Sequence, residues 1–165
     1  EFFENELYGI DPHNNSNHFL IAKNRVYENG RHGIILSADC RDNVIAENAV
    51  YGNRLHGVML DGNSNSNLVA RNEVYENSDG IVVHSSHKNA ISGNMVSRNR
   101  QSGIRLNANA SENYLENNEI RDNTYGIYVY GNANHNLAIG NVLEQNTRGV
   151  YLKDIIGTIA QNTFN

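Results

Sequence analysis

The stretch Val26-Tyr27-Glu28-Asn29-Gly30-Arg31-His32-Gly33-Ile34-Ile35-Leu36 decides the fold, because it returns. Twenty-four residues later the chain reads Val50-Tyr51-Gly52-Asn53-Arg54-Leu55-His56-Gly57-Val58-Met59-Leu60. Working outward in both directions, the matching glycines fall at 9, 33, 57, 80, 103, 126 and 149, with spacings of 24, 24, 23, 23, 23 and 23. Relatives of the Val-Tyr-Glu-Asn segment precede them at Phe2 to Asn5, Val74 to Asn77, Val96 to Asn99, Ile120 to Asn123 and Leu143 to Asn146. A third motif, Asn-x-Ile/Val-x-x-Asn, runs from Asn43 to Asn48 and recurs from Asn67, Asn89, Asn113 and Asn136.

Each repeat therefore holds three short apolar pieces separated by Gly, Asn and Asp. Pieces of that length suit strands and are too short for helices. No window shows helical periodicity, which excludes the longer helical solenoids. One repeat cannot bury its own apolar face, so the repeats must stack, and the sequence predicts an all-β parallel β-helix, a solenoid of about seven coils of 23–24 residues with three short strands per coil. At about 4.8 Å per coil the rod is on the order of 34 Å long. Stacking would align Asn24, Asn48, Asn72, Asn94, Asn118, Asn141 and Asn162 in a column, each amide donating to the carbonyl of the next.

Composition agrees. Thirty of the 165 residues are Asn, against one Pro, one Cys and no Trp. A content of 39% hydrophobic and 19% charged residues argues against disorder, and residues 1–165 read as a single domain. The net charge of −5 makes a nucleic-acid partner improbable. No long apolar run exists for membrane insertion, and the acidic start Glu1 to Glu6 is unlike a signal peptide. Cys40 alone supports neither a disulfide framework nor a thiolate metal site.

Side-chain alternation separates core from surface. After each glycine, positions +1 and +3 should point inward: Ile10/Pro12, Ile34/Leu36, Val58/Leu60, Ile81/Val83, Ile104/Leu106, Ile127/Val129 and Val150/Leu152. Positions −1, +2 and +4 should point outward in three columns. The first reads Tyr8, His32, His56, Asp79, Ser102, Tyr125, Arg148; the second Asp11, Ile35, Met59, Val82, Arg105, Tyr128, Tyr151; the third His13, Ser37, Asp61, His84, Asn107, Tyr130, Lys153. Rows of aromatic, imidazole and guanidinium groups are what an extended groove for a linear polymer needs: platforms for sugar rings and donors for hydroxyls. The first coil is densest in reactive groups, with Tyr8, Asp11 and His13 on one side of one strand. A His and a Tyr flanking one spot make an acid and base pair, and a carboxylate can fix the imidazole tautomer. A metal reading of His32 and His56 lacks a clear third ligand, so no metal site is assigned. Calcium at Asp39, Asp42 or Asp61 is left open without support from spacing.

The string Tyr8-Gly9-Ile10-Asp11-Pro12-His13, followed by repeats carrying His-Gly-Ile, resembles the catalytic coil of the mannuronan C5-epimerases. The resemblance implies a right-handed β-helix and an isomerase that converts β-D-mannuronate to α-L-guluronate within alginate, outside the cell or in the periplasm. It carries Tyr8, Asp11 and His13 over as catalytic, His56 as a further catalytic histidine, and Arg31 as a basic site residue. In that family several coils precede this motif; few residues precede it here, so the upstream coils are expected to be missing. The chemistry requires the uronate charge to be neutralised while one group removes the C5 proton and another returns one to the opposite face. Arg31 and Arg54 are the nearest candidates for that neutralisation. His32, Asp61, His84, Arg105, Tyr128 and Tyr130 are assigned to substrate along the groove, with Arg148 and Lys153 as further carboxylate binders. The expected partner is a linear anionic polysaccharide. Two rivals remain: a lyase, in which the same carbanion expels the 4-O-linked sugar, and a non-catalytic polysaccharide-binding β-helix.

Overall fold

The computed structural model describes residues 1–164, and every regular element among them is a strand. The strands form three parallel sheets of eight, six and seven members. One coil shows the plan: Arg25–Tyr27 belongs to the first sheet, Ile34–Leu36 to the second and Val44–Ala46 to the third. Register runs from coil to coil without slippage. Val26, Val50, Val74, Val96, Ile120 and Leu143 pair in the first sheet, and Ile34, Val58, Ile81, Ile104, Ile127 and Val150 in the second. The third stacks Ile21, Ile45, Val69, Ile91, Leu115 and Ala138. These columns form one continuous core in which Val58, Ile81, Ile91 and Ile104 are all 0% exposed. Each such side chain removed from water contributes about 1.5–3 kcal/mol.

Three asparagine ladders tie the corners. In one, Asn29 Nδ2 donates to Asn53 Oδ1 at 2.9 Å, and Asn53 Nδ2 to Asn77 Oδ1 at 3.0 Å. The backbone N–H of each rung donates to the same oxygen. The column expected through Asn24, Asn48 and Asn72 behaves the same way, and so does one through Asn43, Asn67 and Asn89. Within the ladders each buried amide passes its hydrogen bonds along the axis, which is how so polar a sequence closes its corners. Cys40 is buried at a corner that Ser64, Ser86, Ala110 and Ala133 occupy in later coils.

The glycine of each repeat solves a local problem. Strict alternation would turn the residue before it inward. Instead Gly9 and Ile10 donate from consecutive amides to the consecutive carbonyls of His32 and Gly33, so two neighbouring positions face inward. A Cβ on Gly33 would lie 2.5 Å from Val50 Cγ1 and 2.8 Å from Gly57 O. Only glycine fits there, and it restores the −1 residue to the outer face.

The first coil departs from expectation. It joins the second sheet only through isolated bridges, Ile10 to Ile34 and His13 to Ser37. Ile10 and Asn14 donate to the carbonyls of Gly33 and Ser37; Pro12, midway between, has no N–H to give.

Candidate active site

The outer face of the second sheet carries the three predicted columns, but much of it is closed. His32, Asp79 and Ser102 are 4%, 1% and 1% exposed, and Ile35 and Val82 are buried without belonging to the core. Rows spaced at one coil stack side chain on side chain, so neighbours cover one another. Alternation gives the direction of a side chain and not its accessibility.

At the first coil, Tyr8 is half-buried with its ring stacked on His32, centroids 5.4 Å apart. The exposed Arg31 guanidinium lies 5.6 Å from the Tyr8 ring centre. Asp11 and His13 are exposed, and His13 Nδ1 meets Ser37 Oγ. Tyr8, Arg31 and His32 are therefore one contact group, with His13 two rows across.

Below them the first and second columns join in a buried ionic unit. His56 Nδ1 is 3.2 Å from Asp79 Oδ2, and Arg105 Nη1 is 2.9 Å from the same oxygen. Arg105 Nη2 reaches His56 Nε2 at 3.3 Å, and the Ser102 amide donates to Asp79 Oδ1 at 3.0 Å. Both contacts to Oδ2 lie off the line of a good hydrogen bond, leaving His56 Nδ1, Asp79 Oδ2 and Arg105 Nε buried without a directed partner, so charge holds the unit together. Burial alone would raise the Asp79 carboxyl, but His56, Arg105 and the Ser102 amide outweigh it and hold it below the ordinary carboxylate value. Burial above all, with neighbouring His56 and the guanidinium charges of Arg31 and Arg105, pushes His32 down to about 3.

The third column pairs off along the rod. Asp61 Oδ1 and His84 Nδ1 are 2.7 Å apart, and Asn107 Nδ2 donates to the Tyr130 hydroxyl at 3.1 Å. Tyr128 stacks against both Tyr125 and Tyr130, at 4.9 and 4.5 Å, and lies 5.1 Å from Tyr151. The expectation of free sugar platforms at Tyr128 and Tyr130 changes accordingly: the rings cover one another's faces, and the groove is offered edges and hydroxyls. Arg105 also differs from the freely available carboxylate binder expected, because Asp79 already engages it. Arg54 is exposed, and its carbonyl accepts from Arg100 at 2.7 Å.

Sequence reasoning passed over Asp79, although it stood in the first column between His56 and Ser102. The available signal was an acid one coil from a histidine and one coil from an arginine. Among the described residues no group of three or more His, Cys, Asp or Glu could hold a metal ion, and no helix is long and apolar enough to cross a membrane.

Three parallel sheets stacked coil on coil define the class: the chain belongs to the right-handed beta helix region family, which it matches over residues 8–164. Among solved structures it is similar to the periplasmic alginate epimerase AlgG, with a TM-score of 0.94 and 31% identity over 99% of this chain and 43% of that one. The A-modules of the Azotobacter vinelandii mannuronan C-5 epimerases AlgE4 and AlgE6 each superpose with a TM-score of 0.70. Their identities are 16% and 19%, over 96% and 98% of this chain and 58% and 54% of theirs, so that likeness is one of fold. The chain spans less than half the length of AlgG. A search of curated proteins returns no significant match.

Proposed function

We propose that this chain is catalytic β-helix from an alginate-modifying isomerase that epimerises β-D-mannuronate to α-L-guluronate at C5. The observation that carries the reading is the 31% identity with AlgG across 99% of the chain, joined to the Tyr8-Gly9-Ile10-Asp11-Pro12-His13 string beside the groove. The substrate is a linear anionic polysaccharide laid along the second sheet, and the site of action is the periplasm or the cell exterior.

The C5 proton lies α to a carboxylate, so its removal builds charge on the carboxyl oxygens that must be neutralised. Arg31, exposed beside Tyr8, supplies the nearest free cation. Tyr8 and His13 form the proton-transfer pair: one takes the C5 proton, the C5 carbanion resonates into the carboxylate, and the other returns a proton to the opposite face. Ser37 Oγ meets His13 Nδ1 and orients its ring, Asp11 lies exposed two residues before it, and His56 lies two coils along. Asp61, His84, Tyr128 and Tyr130 contact sugar units further down the groove.

The test is incubation with polymannuronate in deuterated water. Guluronate anomeric signals and deuterium at C5, without ultraviolet absorbance from unsaturated uronate ends, are the expected result. Absorbance from such ends would make the chain a lyase. Silence in both, with folded protein, would reduce it to a polysaccharide-binding β-helix.

A further inference from the structure

Asp79 is 1% exposed, and its carboxylate lies between a histidine and an arginine whose side chains are 13% and 16% exposed. A buried carboxylate with imperfectly aligned partners is a poor stabilising device, since desolvation offsets much of the attraction. Orphaned polar atoms in a buried cluster call for another explanation. Hydrogen bonds of catalytic groups are commonly long in the free protein and tighten on substrate binding.

Donor and acceptor logic assigns the protons. Arg105 can only donate, so the His56 Nε2 that it meets at 3.3 Å is the acceptor. Asp79 can only accept, so the His56 Nδ1 facing it carries the hydrogen. His56 is thereby the neutral Nδ1-protonated tautomer, with its lone pair at Nε2 under the Arg105 guanidinium. Asp79 makes both conditions hold, since the same Oδ2 fixes the imidazole and anchors Arg105. A uronate carboxylate entering the groove competes with Oδ2 for Arg105; as the guanidinium moves, the His56 lone pair is uncovered. The uncovered Nε2, its ring oriented by Asp79 at Nδ1, then accepts a hydrogen bond from a hydroxyl of the sugar that Tyr8 and His13 act on.

We propose that Asp79 is a positioning residue: its carboxylate sets the tautomer of His56 and holds Arg105 across Nε2 until substrate carboxylate draws it away. This rests on the epimerase reading for its kinetic part alone. The tautomer is a property of the protein without substrate.

The experiment has two arms. Long-range proton–nitrogen NMR on the wild-type chain should find His56, identified by loss of its signals in His56→Gln, as the Nδ1-protonated form. Finding Nε2–H would overturn the proposal whatever the variants do. In Asp79→Asn the Nδ1–H form should be lost, while kcat falls on the order of 100-fold and KM changes by less than about threefold. Should Asp79→Asn not fold, Asp79→Asn combined with Arg105→Gln removes the unpaired buried charge, and the same loss of tautomer is expected there. A folded variant that retains the Nδ1–H form, or one that changes KM and not kcat, would sink the idea. Absence of wild-type turnover would defeat the epimerase reading alone, leaving the NMR arm to decide the tautomer.

Discussion

His32 and His56 are stacked with ring centroids 4.8 Å apart, and the backbone N–H of His56 donates to His32 Nδ1 at 3.3 Å. A nitrogen that accepts carries no proton, so this bond exists while His32 is neutral.

The unfolded chain protonates His32 near its ordinary 6.5, the folded protein only at about 3. Within that window the unfolded state binds more protons, so stability falls as pH falls; the contribution is complete above the upper value and spent below the lower one. Asp79, also held low, adds a loss below its ordinary 3.8. Denaturant unfolding between about pH 7 and 4.5 should show a drop of roughly 2–3 kcal/mol from His32. His32→Phe keeps a ring in the stack and should flatten that slope. An unchanged slope would assign the pH dependence to other groups.

Asn94 is fully buried and works in both directions: Oδ1 accepts from Asn72 N and Nδ2 at 2.9 and 3.0 Å, while Nδ2 donates to Val69 O and Asn118 Oδ1 at 2.9 and 3.0 Å. Asn94→Asp preserves shape and loses these donations, setting a carboxylate against the oxygens of Val69, Ser92 and Asn118. A loss of about 3 kcal/mol or more is expected at neutral pH. It should partly recover on acidification, when a protonated carboxyl regains one donor; the check is urea unfolding at two pH values.

A Cβ on Gly80 would fall 2.4 Å from Val96 Cγ1 and 2.6 Å from Gly103 O. The carbonyl belongs to the next coil and cannot yield alone. Gly80→Ala should cost about 3 kcal/mol or more. Gly131→Ala, where the nearest atom is 3.3 Å away and φ is +64°, should cost only about 1–2 kcal/mol from backbone strain. Equal unfolding midpoints for the two variants would contradict the close-approach argument.

His13 is exposed and Tyr8 lies at the edge of the stack, so neither carries the core. On the proposed function, His13→Ala and Tyr8→Phe should each reduce guluronate formation by at least about 100-fold, with unfolding midpoints near wild type. Turnover retained in His13→Ala would remove it from the proton-transfer pair. Ile104→Asp, which charges a 0% exposed core position, should instead unfold coils.

Much of this architecture is legible in one dimension because the molecule is itself nearly one-dimensional. A constant interval between glycines becomes a constant axial rise, and repeated Ile or Val becomes a core column. The ladders were legible for the same reason. What alternation could not convey was the crowding of the outer face: Val82 and His32 point away from the core and are buried all the same, because their covering neighbours belong to other coils. Asp79 was hidden likewise, since its partners His56 and Arg105 are 23 and 26 residues away in sequence. Pro12 is the single proline of the sequence, but its consequence, a first coil bridged rather than paired, depends on which carbonyl awaits a donor.

The stacked tyrosines give the protein an optical signature. There is no tryptophan, and of nine tyrosines three stack at positions 27, 51 and 75 and four more cluster at 125, 128, 130 and 151. Rings held nearly parallel at 4.8–5.0 Å in the first group are close enough for their transitions to couple. Near-ultraviolet circular dichroism then becomes a gauge of coil-to-coil registry, with the two groups reporting opposite halves of the rod.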